Sequence, residues 1–117
     1  MREVFGGARV VVLACRSVAR ARRFWVDRLG FSLLAEKSGR QADVNLGNFR
    51  LRLVAADDVN VPRGGGVAVT FRSRSLPRTA KELTDRGVAY ESHTAPSGDW
   101  IETSDPDGHR VVFVERL

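Results

Sequence analysis

Ala21–Phe31 reads ARRFWVDRLGF, an apolar and arginine-rich segment that closes on a glycine. Extended back to Val18, its apolar residues Val18, Ala21, Phe24, Trp25 and Leu29 fall near the i, i+3, i+4, i+7 spacing of a helix with one buried face. Ser17 stands where a hydroxyl can cap the first turn, and Gly30 stands where the chain must leave the helix. Before it, Arg9–Cys15 is a β-branched and apolar run of strand length behind Gly6-Gly7. After it come Phe31–Glu36, Ala42–Leu46 and Phe49–Ala55, three short strands separated by the turn candidates Ser38-Gly39 and Gly47-Asn48. The expected order is β-α-β-β-β.

The same order then recurs. Gly66–Ser73 reads as a strand, Leu76–Arg86 as a helix with Pro77 in its first turn and Gly87 as its stop. Val88–Ser92, Trp100–Thr103 and Arg110–Glu115 follow as strands, the last preceded by the turn Asp105-Pro106-Asp107-Gly108. An offset of 58 residues maps Ser17 onto Ser75, Arg20 onto Arg78, Asp27 onto Asp85, Arg28 onto Arg86 and Val11 onto Val69, and a one-residue deletion aligns Gly30 with Gly87. Matches at caps, helix ends and one strand face are where a duplicated architecture would keep them. The expectation is one domain over 1–117, with module one at about 8–56, a glycine-rich linker at 57–65 and module two at about 66–117.

Composition narrows the functional classes. The net charge of +5 is carried almost wholly by arginine, with only Lys37 and Lys81 as lysines. The arginines are spread along the chain and no nucleic-acid module with interleaved stacking aromatics is present, so nucleic acid is not the expected partner. No segment approaches the apolar length of a membrane span, and the N-terminus lacks a signal-peptide core, from which a cytoplasmic location is expected. The lone Cys15, inside an apolar run, reads as a small buried hydrophobe that cannot form an intramolecular disulfide.

Three segments together resemble the vicinal-oxygen-chelate superfamily of glyoxalase I, extradiol dioxygenases, fosfomycin-resistance enzymes and bleomycin-binding proteins. They are the strand Val10–Cys15, ARRFWVDRLGF itself, similar to the family pattern A-x-x-F-Y-x-x-x-L-G-F, and DPDG at Asp105–Gly108. The resemblance implies an α+β fold of two tandem βαβββ modules forming a concave, barrel-like mixed sheet, and a homodimer with two ligand crevices near the subunit interface. In the metal-using members, four ligands come from the first and last strands of each half, usually His or Gln on the first and Glu on the last. Carried over one at a time, those places fall at Val10, Ala68 and Val112, with the fourth at Leu51, or at Arg52 if the register is displaced by one. None offers the oxygen, nitrogen or sulfur donors a divalent cation needs, so no metal or other cofactor is expected. His93 and His109 are expected in or beside loops, solvated at the surface, and Glu115 is expected to point to the opposite face from Val112.

A cavity without metal donors leaves inward positions that, by strand alternation from the former ligand places, are Val10, Val12, Phe49, Leu51, Ala68, Thr70, Arg72, Arg110, Val112 and Val114. The set is mostly apolar, as small-molecule sites are. Trp100 could present a flat face to an aromatic ligand or could fill the core, whereas Trp25 reads as packing. Arg72 and Arg110 are candidates for contacts to a ligand carbonyl, phenolate or carboxylate, with salt bridges to Glu102 or Glu115 as the alternative. No serine sits in a nucleophile elbow and Cys15 has no basic neighbour on its face. Glu102 or Asp99 could serve as a general acid or base. The reading is therefore a metal-independent protein that sequesters a hydrophobic or aromatic antibiotic or toxic natural product, neutral or anionic given the positive chain. Its alternative is a lyase or isomerase of the same fold that uses Glu102 as base.

Overall fold

The computed structural model describes residues 9–59 and 67–115, so positions 60–65 of the expected linker and the outermost residues lie outside the described part. The first half comprises β1 (Val10–Cys15), α1 (Val18–Arg22) running directly into a π-helical segment (Arg23–Arg28), β2 (Ser32–Lys37), β3 (Gln41–Asn45) and β4 (Arg50–Ala55). A short 3-10 turn covers Ala56–Asp58, and the second half comprises β5 (Ala68–Arg72), α2 (Leu76–Asp85), β6 (Glu91–Ala95), β7 (Gly98–Ser104) and β8 (Arg110–Val114). Each half is a four-stranded mixed sheet, ordered β1-β4-β3-β2 and β5-β8-β7-β6, with the outer first strand parallel to the last and the remaining pairs antiparallel. The topology is the expected α+β duplication, and the two sheets remain separate rather than closing into one barrel.

Local chemistry accounts for these elements. The Ser17 hydroxyl accepts from Arg20 N at 3.2 Å and, 58 residues on, the Ser75 hydroxyl accepts from Arg78 N at 3.3 Å, so both helices start on the same cap. Between β2 and β3, Ser38 (φ 53°) and Gly39 (φ 67°) both take positive φ, and Arg40 N donates to Lys37 O at 2.9 Å, the type I′ geometry that suits the twist of a hairpin.

The two helix ends differ from expectation, and in related ways. At α2 the amide of Gly87 donates to Thr84 O at 3.0 Å and that of Val88 to Leu83 O at 2.8 Å, a Schellman closure. Val88 is thereby spent on the helix end, buried beside Leu83, and the strand starts at Glu91 instead of Val88. At the first helix each bond spans one residue more: Gly30 N donates to Val26 O at 3.1 Å and Phe31 N to Trp25 O at 3.1 Å, while Leu29 N reaches Phe24 O at 2.9 Å. Two adjacent bulky rings explain the widening. In an α-helix neighbours project about 100° apart; the slacker π turn lets Phe24 (8% exposed) and Trp25 (0%) both enter the core.

The core continues across the halves. Phe31 stacks on Phe71 with centroids 5.1 Å apart, and Phe71 on Phe113 at 5.6 Å, an apolar ladder from the first half into the second. The helix ends are tied reciprocally: Arg28 Nη1 donates to Gly87 O at 3.0 Å, and its counterpart Arg86 donates through Nη1 to Arg28 O at 3.2 Å. A guanidinium thus sits at each helix's negative end. Gly30 (φ +85°) admits this approach, since a Cβ there would lie 2.8 Å from Arg86 Nη1.

His109 is a correction. Expected at the surface, it is 1% exposed, because the Asp105–Gly108 turn folds under the first helix. The buried Asp105 carboxylate meets His109 Nδ1 at 2.7 Å and accepts from the Trp25 indole N–H at 3.4 Å and from the amides of Asp107 (3.0 Å) and His109 (2.9 Å). Beside it, Asp107 accepts from the backbone amide and Nε of Arg16. Asp105→Ala leaves several buried donors without acceptors, each costing about 1–3 kcal/mol. A loss of at least ~3 kcal/mol in urea-unfolding free energy is expected, well beyond that of an exposed control such as Asp85→Ala.

Candidate functional site

Strand alternation gives each sheet a face under the helices and an open face. The parallel register settles which residues share a face: Val10 pairs with Arg50 and Val12 with Arg52, so Leu51 and Leu53 lie with Leu13 and Cys15 against the helix. Leu51 is fully buried in the core and Phe49 packs on the same cluster, which corrects their expected place beside Val10 and Val12. On the open faces stand Val10 and Val12 of the first half and Ala68, Thr70, Arg72, Arg110, Val112 and Val114 of the second, together with Trp100 and Glu102 on β7.

The two open faces correspond. Val12 pairs with Arg52 and Arg52 with Asp43; in the second half Thr70 pairs with Val112 and Val112 with Glu102. The structural counterpart of Val112 is therefore Arg52, not Leu51. At the four places that the resemblance assigns to metal ligands this chain has Val10, Arg52, Ala68 and Val112, three apolar groups and a cation, and these do not fit a divalent ion. Among the described residues no group of three or more His, Cys, Asp or Glu side chains could hold one elsewhere.

Two carboxylates on these faces are committed to arginines. Asp43, 2% exposed, accepts from Arg52 Nε and Nη2 at 3.0 and 3.1 Å and from Arg50 Nη1 at 3.0 Å. Glu102 accepts from Arg110 at 2.9 and 2.6 Å and from the Trp100 indole N–H at 3.3 Å. Both carboxyls are held below the usual range, Asp43 chiefly by its bond from Arg52 and Glu102 chiefly by its bond from Arg110. An acid kept ionised this way is a poor base. Arg110 is thus occupied, while Arg72, also exposed on this face, has no ion-pair partner among the described residues. Glu115 instead caps α2, accepting from Leu76 N at 2.8 Å.

Trp100 is part of a site the sequence only half revealed. The His93 ring lies parallel to it at 4.9 Å, with Nε2 shielded from solvent and without a hydrogen bond. That stack was hidden because β6 was expected to end at Ser92; started at Glu91, it places His93 directly opposite Trp100. Where β7 begins and β8 ends, Trp100 and Val114 line a cleft of about 450 Å³ with Asp99 and the first residues of α2, Leu76 and Pro77, a volume suited to a small organic molecule. Cys15 adds no nucleophile: burial first, then the nearby Asp107 and Asp105 carboxylates, push its thiol up to about 12.

Comparison with known proteins agrees with this geometry. The family model described as Glyoxalase/Bleomycin resistance protein/Dioxygenase superfamily matches residues 8–113. TnmS3, an antibiotic binding protein from Streptomyces sp. CB03234, superposes with a TM-score of 0.77 at 24% identity, over 94% of this chain and 95% of that one. Lactoylglutathione lyase from Agrobacterium tumefaciens gives 0.75 at 16% identity, over 94% and 93%. A member of the same superfamily from Sphaerobacter thermophilus gives 0.73 at 22%, over 95% and 98%. At these identities the likeness is one of fold, shared by a binder and a lyase alike. No curated protein matches the chain in sequence.

The open-face ion pairs carry a pH signature. Both carboxyls titrate lower folded than unfolded, so their stabilisation is complete above the unfolded carboxyl range and is lost as pH falls through the folded values. The urea midpoint is expected to hold above about pH 5 and to decline below about pH 4. Asp43→Asn and Glu102→Gln should each lower the midpoint near neutrality and flatten that acid decline.

Proposed function

Because the chain belongs to the glyoxalase/bleomycin resistance protein/dioxygenase superfamily, we propose that it is a metal-independent binding protein that sequesters a hydrophobic or aromatic antibiotic or toxic natural product. One observation carries the reading: the ligand places of the fold are filled by Val10, Ala68, Val112 and an arginine already bound to Asp43, while an indole lines an adjacent cleft. The ligand rests on Trp100 and Val114, and Arg72 supplies a donor fork to a carbonyl, phenolate or carboxylate. The antibiotic-binding neighbour supports this use of the fold, and the net charge of +5 favours a neutral or anionic compound.

The protein acts as a homodimer in this reading. Val10 (40% exposed) and Val12 (41%) form an apolar edge on the open face that a second copy would cover. Catalysis by Glu102 is disfavoured by the two arginine bonds and the indole bond that stabilise its ionised form.

Titration with a panel of aromatic antibiotics, followed by tryptophan fluorescence and recovery of the compound, tests the proposal. Saturable quenching with the compound returned unchanged is expected, and Trp100→Ala should weaken binding about tenfold, the scale of one lost aromatic contact. Turnover by substoichiometric protein, or stoichiometric zinc, iron, manganese or nickel in the purified protein, would overturn it. Sedimentation should give twice the chain mass, reduced to the monomer in Val12→Asp.

A further inference from the structure

We propose a second site on the helix side of the molecule: the cleft between the π-helical segment and the second half binds a phosphate ester of a small apolar or aromatic alcohol through Arg20, Arg23 and Arg28. It has no part in the open-face reading, since Thr103 and Val88, which line it, belong to the opposite side of the second sheet from Trp100.

The cleft has a volume of about 610 Å³, enough for a phosphorylated metabolite of modest size. Phe24, Val88 and Pro106 give it apolar surface, Thr103 borders it from the helix-facing side of β7, and three arginines line it. Asp105 also borders it, yet its oxygens are taken up by the Trp25 indole, His109 and two backbone amides, so its charge is offset.

The charge pattern is what points to a ligand, and the internal repeat exposes it. On α2 the counterparts of two of these cations are neutralised along the helix: Lys81, in the place of Arg23, bonds Asp85 at 2.8 Å and Arg86, in the place of Arg28, bonds Glu82 at 2.9 Å. On the first helix the counterpart of Glu82 is the buried Phe24, so Arg28 has no carboxylate four residues before it. Asp27, four residues after Arg23, would pair with it in an α-helix, but no such pair forms. The π turn, closed by Leu29 N on Phe24 O, brings residues five apart onto one side. Arg23 is thereby set with Arg28, and Arg20 lies one α turn before it.

Arg20 and Arg23 have no acidic partner among the described residues, and Arg28 spends one of its five N–H donors on Gly87 O. Like charges gathered without a counterion repel one another, and a dianionic oxyanion answers all three with forked, charge-assisted hydrogen bonds. The apolar floor favours an ester over inorganic phosphate.

Calorimetric titration of the full chain with phenyl phosphate, inorganic phosphate and phenol tests this. Phenyl phosphate is expected to bind, inorganic phosphate more weakly and phenol not measurably. Arg20→Gln and Arg23→Gln should each weaken phenyl phosphate about tenfold, the loss of one charge-assisted bond, with unchanged circular dichroism. Arg78→Gln on α2 and Trp100→Ala should leave it unaltered, which separates this site from the open-face cleft. No binding of phenyl phosphate at millimolar concentration, binding insensitive to Arg20 and Arg23, or loss of binding in Trp100→Ala would each overturn the proposal. Tighter, arginine-dependent binding of a single-stranded oligonucleotide would overturn it in favour of a nucleic-acid surface.

Discussion

The buried carboxylate of Asp105 is the constraint on which the joining of the two halves rests. An ionised group taken out of water is tolerated only when its oxygens are answered. Here one donor is the Asp107 amide in the tight turn on which Asp105 sits, one is the His109 amide just after it, and one is the indole of Trp25 on the helix of the other half, while the His109 ring nitrogen lies at 2.7 Å. The requirement fixes how deep the turn can sit and where the indole must lie. The paired arginines at the helix ends and the Phe31–Phe71 stack extend the same junction, so polar and apolar contacts hold one arrangement of the halves.

The two halves share one frame, and the differences between them make the sites. Both sheets keep a carboxylate on the third strand bound to an arginine on the fourth, Asp43 to Arg50 and Glu102 to Arg110. These pairs lie where strand register brings opposite charges together, and partial burial lowers the local dielectric, so they stiffen the open faces and hold both carboxyls ionised. The same commitment removes them from acid–base chemistry. What stays uncommitted on the second face is apolar surface and the guanidinium of Arg72, beside a Trp100 indole whose N–H is held by Glu102 and one ring face by His93.

Much of this was legible in the chain itself. Caps at Ser17 and Ser75, stops at Gly30 and Gly87, and the 58-residue repeat are local signals, read where backbone chemistry acts over a few residues. The faces were harder. Alternation says that Leu51 and Arg52 point oppositely, but only the pairing of β1 with β4 decides which of them accompanies Val12. The burial of His109 and the stacking of His93 on Trp100 were not legible, because each depends on a partner distant in sequence or on where a strand begins. The site residues inherited this limit: Trp100 could be singled out as an aromatic on a strand, its companion His93 could not.

The π segment shows how a packing demand becomes an electrostatic one. Placing Phe24 and Trp25 side by side requires both rings to enter the core, and the wider turn that permits it changes which residues align along the helix. In the second helix the sequence K-E-x-x-D-R, from Lys81 to Arg86, neutralises itself at i, i+4; in the first, R-F-x-x-D-R from Arg23 to Arg28 has a core ring in the place of the glutamate, and Arg23 forms no ion pair with Asp27. One difference between the two helices therefore does two things at once. It deepens the core beneath the junction of the halves and leaves a cationic surface above it, with Trp25 in contact with Asp105 on the inner side and Arg23 lining the cleft on the outer.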